Sequence, residues 1–182
     1  MGCMTKRATK RLYRAPLYLA RLAAAMLLSF EGSICLYQAE ELGQTETDIL
    51  WEELTDPPGF AFWPDYKGRD GCRTPMPWQS AAPAAGFSTG KPWLPVPEAH
   101  RALAVSEQED DPDSLLNHYR WSIGLRQKHP ALRIGDQTAM KAEGSVLSFR
   151  RAAGEDKLQI RANLSNKPAA GLAPWQVEIN EG

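Results

Sequence analysis

The residues best equipped for chemistry gather in one stretch, Gly68-Arg69-Asp70-Gly71-Cys72-Arg73-Thr74-Pro75-Met76-Pro77-Trp78. Its two arginines carry planar, permanently charged forks that suit oxygen-rich ligands. Gly68 and Gly71 let the backbone turn through conformations closed to other residues. Pro75 and Pro77 stiffen the downstream backbone and donate nothing to a sheet. Arg69 and Arg73 are therefore the candidate ligand-binding residues. The same pattern also suits an Arg–Asp pair that ties a surface loop to its neighbour. A second group, Gln38, Glu40 and Glu41, comes directly after an apolar run. Paired carboxylates can do acid–base work, but adjacent residues at a strand end point apart, which favours a structural role.

These groups need elements to hold them. Residues 16–30 read as an amphipathic to buried helix, with Pro16 in its first turn and Leu19, Leu22, Ala23, Met26, Leu27 and Phe30 at three- and four-residue steps. Gly32 ends it, and Ser33-Ile34-Cys35-Leu36-Tyr37 reads as a strand buried on both faces, making an αβ step of an α/β fold. Residues 43–100 hold no long periodic segment and are rich in Pro, Gly and aromatic residues. A connection that long is normally functional; its rings either stack on sugars or form a small core of their own. Asp111-Pro112-Asp113-Ser114 starts a helix that ends at Pro130, with Leu115, Tyr119 and Ile123 on one face and His118 as an ordinary helix residue. Beyond Arg133 the residues 145–149 and 158–162 read as short antiparallel strands separated by Gly154-Glu155-Asp156.

Composition bounds the function. With 21 basic and 22 acidic residues among 182, the net charge of −1 argues against a general nucleic-acid binder. A hydrophobic content of 43% permits a core. The three cysteines, Cys3, Cys35 and Cys72, and the scattered His100, His118 and His129 form no ligand pattern. The expectation is a reducing, cytoplasmic setting with no metal and no cofactor. Lys6, Arg7, Lys10, Arg11 and Arg14 ahead of an apolar stretch imitate a targeting signal, but Arg21 interrupts the stretch and no Ala-x-Ala cleavage site comes after it. The Met-Gly-Cys start has Lys6 where a myristoylation signal has Ser or Thr. No run is apolar enough to span a membrane.

In this order the chain resembles the α-glucosidase and oligo-1,6-glucosidase branch of the α-amylase superfamily of glycoside hydrolases. Gly32-Ser33-Ile34-Cys35-Leu36-Tyr37-Gln38-Ala39-Glu40-Glu41-Leu42-Gly43 resembles that family's eighth barrel strand and the loop after it, and residues 68–78 its arginine-bearing loop. Lys91-Pro92-Trp93-Leu94-Pro95-Val96 resembles the next segment, and Asp111 through Leu132 the last barrel helix. These stretches cover most of residues 17–135. Ala162-Asn163-Leu164-Ser165-Asn166 resembles the start of the C-terminal β-sandwich.

The resemblance implies α/β plus β architecture: the last βα unit of a (β/α)8 TIM barrel in residues 1–132, then a partial antiparallel β-sandwich in 133–182, with an exposed sheet edge. It implies a retaining enzyme that removes terminal α-linked glucose from oligosaccharides, with a carboxylate nucleophile and a carboxylic acid flanking the bond. Those groups, and a third aspartate, come from the fourth, fifth and seventh strands of the family, upstream of the part matched here. No catalytic residue is therefore assigned to this chain. Arg69 matches the arginine that holds a glucose hydroxyl, Arg73 is a second candidate, and Glu40 and Glu41 stand behind them. The expected partners are an oligosaccharide and the remaining barrel, with no nucleic acid and no membrane; the alternative is a non-catalytic carbohydrate-binding or docking module. Ala39 stands where relatives commonly have Gly, at a strain of about 1 kcal/mol if its φ is positive.

Overall fold

The computed structural model describes residues 17–182. Pro16, the basic stretch before it and Cys3 lie outside the described residues. Two compact units emerge: Leu36–Asn117, and residues 17–35 together with His118–Gly182. This grouping does not coincide with the division at 132/133, because the helix Leu17–Ser29, upstream of that point, shares one core with the sheet downstream of it.

In the second unit, helix α1 (Leu17–Ser29) buries Leu22, Ala24, Ala25, Met26 and Leu28. The helix after Ser114, α5 (Leu115–Lys128), crosses from one unit to the other. Its N-terminus is capped as the Asp-Pro-Asp-Ser sequence dictates, with the Asn117 N–H donating to Ser114 Oγ at 3.1 Å. A short helix α6 (Pro130–Ile134) leads into four strands, β1 (Asp136–Glu143), β2 (Val146–Ala153), β3 (Asp156–Asn163) and β4 (Val177–Glu181). They form one antiparallel sheet in the order β1-β2-β3-β4. Gly144 and Gly154, at φ 59° and 61°, close the first two hairpins. One face of the sheet meets Leu22 and Met26 of α1 and Ala131 and Leu132 of α6, around Phe149, Leu158, Ile160 and Ala162. Each large apolar side chain buried there contributes roughly 1.5–3 kcal/mol.

Two buried or half-buried arginines knit that core to the helix ends. The Arg151 guanidinium is 1% exposed and donates to the carbonyls of Ser29 at 2.7 Å, Gly135 at 2.7 Å and Leu132 at 3.3 Å. Arg126 donates to the carbonyls of Leu28, Phe30 and Gly32. The carbonyl-rich C-terminus of α1 is thus closed by two cations, the charge its dipole favours.

The first unit has little regular structure. Helices α2 (Pro57–Ala61), α3 (Glu98–Arg101) and α4 (Val105–Gln108) are single turns among loops. Small clusters replace a single core: Ala39, Leu42 and Leu116 in one, Ile49, Leu54 and Leu94 in another. The aromatic rings largely pack on each other, with Trp51 edge-on to Phe60 and Trp63 and Phe87 edge-on to Trp93. Lys67 sits 4.7 Å above the Trp63 ring.

One expected element does not form. Residues 33–37 are neither strand nor buried: Tyr37 is 51% exposed and Leu36 39%. A strand buried on both faces needs hydrogen-bonded neighbours on each side, and among the described residues none pairs with it. The run turns outward, and the Tyr37 N–H donates to Glu40 Oε2 at 3.0 Å. The sheet is a single layer among the described residues rather than a sandwich, with β1 and β4 as its edges.

Candidate functional site

The 68–78 loop is held from beneath by two carboxylates. Asp70 is 1% exposed and Asp56 6%. Asp70 accepts from the Thr55 N–H at 2.6 Å, the Asp56 N–H at 2.8 Å and the Thr55 hydroxyl at 3.0 Å. Asp56 in turn accepts from the Arg69 N–H at 2.7 Å. Its oxygens lie 4.0 Å from Arg69 Nε and 3.8 Å from an Arg73 guanidinium nitrogen. Two cations therefore share one buried anion, while their side chains stay 65% and 39% exposed. Both forks reach solvent.

The glycines in the motif are dictated by this arrangement. Gly68 has φ +72°, and a Cβ there would come within 2.7 Å of Asp56 Oδ2. A Cβ on Gly71 would collide with the Thr47 carbonyl, whose own N–H donates to the Gly71 carbonyl at 2.9 Å.

Thr74, fully buried, anchors the other end. Its carbonyl accepts from Gln38 Nε2 at 3.1 Å and its hydroxyl from Gln44 Nε2 at 2.7 Å. His100, 2% exposed, faces the hydroxyls of Thr74 at 3.4 Å and Thr47 at 3.5 Å. Burial pushes its pKa below the ordinary histidine value. On the outer side the Tyr37 hydroxyl donates to Cys72 Sγ at 3.5 Å, and Cys72 donates to the Arg69 carbonyl at 3.0 Å. The Cys72 contact and burial raise the Tyr37 pKa.

The two carboxylates are not an acid and a nucleophile. Both are buried and occupied by backbone N–H groups, leaving no open cleft between them for a glycosidic bond. Glu40 and Glu41 fall in a 3₁₀ turn, Glu40–Leu42, where Glu40 serves the Tyr37 N–H. The turn begins at Ala39, with φ 59° and ψ 12°, so the strain expected of an alanine in a glycine position is present. His118 is a helix residue bound to the Arg21 carbonyl at 2.9 Å. Among the described residues no three His, Cys, Asp or Glu side chains are placed to hold a metal ion, and no helix is long and apolar enough to cross a membrane.

Sequence reasoning joined Arg69 and Arg73 in one loop. It missed Asp56, the residue that joins them in space. Asp56-Pro57-Pro58 reads only as the start of a helix turn, and nothing local ties it to a loop 13 residues away.

Comparison with known proteins decides the family. Residues 4–135 match the model of the alpha amylase catalytic domain. The chain belongs to the alpha-amylase family. It is 45% identical over 157 residues to a "Probable alpha-glucosidase" of Rhizobium meliloti (strain 1021), a match covering 86% of this chain and 28% of that protein. An oligo-1,6-glucosidase of Parageobacillus thermoglucosidasius is 29% identical over 81% of the chain and 30% of its own length. Among solved structures, the alpha-glucosyl transfer enzyme XgtA aligns at a TM-score of 0.77 with 50% identity, over 86% of this chain and 29% of that one. The trehalulose synthase MutB of Pseudomonas mesoacidophila MX-45 aligns at 0.76 with 25% identity, over 90% and 38%. The chain thus spans about three-tenths of the alpha-amylase family relatives that it matches first.

Proposed function

We propose that this chain carries the substrate-gripping part of an α-glucosidase, in which Arg69, with Arg73 beside it, holds a hydroxyl of a terminal α-linked glucose. The observation that carries the reading is the pair of exposed guanidiniums 4.0 and 3.8 Å from buried Asp56, within a chain 45% identical to a relative named "Probable alpha-glucosidase". Hydrolysis with retention needs a nucleophile and an acid across the scissile bond. Arginine can orient a sugar and offset developing charge, but its guanidinium neither attacks carbon nor gives up a proton at neutral pH. The catalytic carboxylates therefore come from the remaining barrel of the parent enzyme, onto which this part docks, and the chain by itself cleaves nothing. The free thiols of Cys35 and Cys72 suit a cytoplasmic setting.

Calorimetry with maltose tests the grip. Heat at millimolar sugar that shrinks when Arg69 is changed to Met supports it; an unchanged isotherm in Arg69→Met removes the assignment. The exposed rings of Trp78 and Trp93, 48% and 59% accessible, favour one further reading, a carbohydrate-binding module without chemistry. A variant Trp93→Ala that loses maltose while Arg69→Met retains it would select that second reading.

A further inference from the structure

Turn α3 places His100, 2% exposed, between two threonines that hold the arginine loop. Thr47 Oγ1 lies 3.5 Å from Nε2, and the Thr47 N–H donates to the Gly71 carbonyl at 2.9 Å. Thr74, fully buried and next to Arg73 in the chain, has its Oγ1 3.4 Å from Nδ1. The Thr45 carbonyl is a further polar group beside the ring. Charged groups on the surrounding segments are engaged elsewhere. Arg69 and Arg73 lie toward Asp56, and Asp70 toward Thr55. Glu98 and Arg101 pair at 3.7 Å, and Arg101 also reaches the Ser80 and Ala82 carbonyls. Glu46, beside Gly71, is exposed. None of them sets the charge state of His100, which burial governs.

A neutral imidazole donates from one nitrogen and accepts at the other, which serves one donating and one accepting threonine hydroxyl. A cationic ring donates from both, so the hydroxyl that had been donating loses its acceptor. Thr74 has no replacement at hand. Its Oγ1 already accepts from Gln44 Nε2 at 2.7 Å. Gln44 Oε1 is buried and unpartnered among the described residues, but it can take the Thr74 proton only if the amide turns over and withdraws that N–H. With no anion against it, a charged ring here is relieved by opening the site to water.

We propose that His100 is a positioning residue under proton control: neutral, it steadies the arginine loop at Thr47 and Thr74; protonated, it slackens the loop and weakens the hold on sugar. The second half rests on the reading of Arg69 as the group that grips glucose, and the first half does not.

The test takes the whole chain and His100→Gln from about pH 7.5 down to about pH 4.5, with circular dichroism to show that both stay folded. NMR of the imidazole gives the midpoint at which His100 takes its proton. Hydrogen exchange, corrected for the intrinsic effect of pH, gives the protection of the Thr47, Cys72 and Arg73 amides, and calorimetry gives the affinity for maltose. In the wild type, protection should fall below pH 6.5 by up to about tenfold per pH unit, and maltose affinity should fall once pH passes the His100 midpoint. Glutamine keeps one donor and one acceptor for the threonines at every pH, so both curves should be flat in His100→Gln. Wild-type protection that ignores pH, an affinity loss whose onset departs from the midpoint of the ring, or a variant with the wild-type slope would each overturn the proposal; the first two need no variant to fold. Absence of maltose heat at neutral pH overturns the reading of Arg69 and the sugar half of the proposal with it. Maltose bound equally well across the range overturns the proposal and leaves that reading standing.

Discussion

Replacing Asp70 should loosen the whole arginine loop. Its carboxylate receives two backbone N–H groups and one hydroxyl while only 1% exposed. Hydrogen bonds to a charged group are worth about 1.5–3 kcal/mol each, and a buried donor left unpaired costs about 1–3 kcal/mol. The Asp56 N–H is buried and would be stranded outright by Asp70→Ala, whereas the Thr55 side is exposed and can turn to water. Counting the buried donor in full and the Thr55 groups in part gives a loss of roughly 2–4 kcal/mol. Asp70→Asn keeps an oxygen for the two N–H groups, and the Thr55 hydroxyl can rotate to accept from the new amide, so its loss should be about half as large. Urea unfolding monitored by tryptophan fluorescence gives the stabilities, and hydrogen exchange at the Thr55 and Asp56 amides gives the local effect. A shift of less than about 1 kcal/mol in Asp70→Ala, or an Asp70→Asn variant as damaged as Asp70→Ala, would refute this role for the carboxylate.

Ala39→Gly should change stability by less than about 1 kcal/mol, because relief of the left-handed backbone, about 1 kcal/mol, offsets a buried methyl worth about 0.8 kcal/mol. Ala39→Val should instead lower the urea midpoint clearly, since a β-branched residue resists positive φ. Arg151→Met should lose about 1–3 kcal/mol, the cost of leaving buried carbonyls without their donor, with faster hydrogen exchange at the C-terminal end of α1. For His100 the folded pKa lies below the unfolded value of 6.5. The unfolded chain therefore binds the proton first, and the stability present above pH 6.5 is lost as pH falls from there through the folded pKa. Urea midpoints should decline over that window, and His100→Gln should flatten the decline; an equal slope in the variant would exclude His100 as its source.

What could be read from the residues depended on how local the cause was. The helix at Leu17–Ser29, the cap at Ser114 and the hairpin at Gly154 arise from spacing, capping and turn chemistry within a few residues. The left-handed backbone of Ala39 has no local signal in the sequence, and only the family resemblance pointed to it. Strand β1 escaped notice because almost all its residues face solvent, so no alternation marks it. The 33–37 run failed for the opposite reason: its composition fits a buried strand, yet pairing depends on partners that are not local. At the site, Arg69 and Arg73 were legible from their own chemistry. Asp56 and the Thr74–His100 network were not, because loop closure between residues 13 to 30 apart leaves no periodic trace.

If Arg69 serves to grip a glucosyl unit, as proposed, this chain should leave the glycosidic bond intact. The purified chain, shown by circular dichroism to be folded, can be given p-nitrophenyl α-glucoside and monitored for release of nitrophenol. The predicted rate equals that of buffer and is unchanged by Arg69→Met. Turnover above buffer that depends on a carboxylate of this chain would contradict the claim.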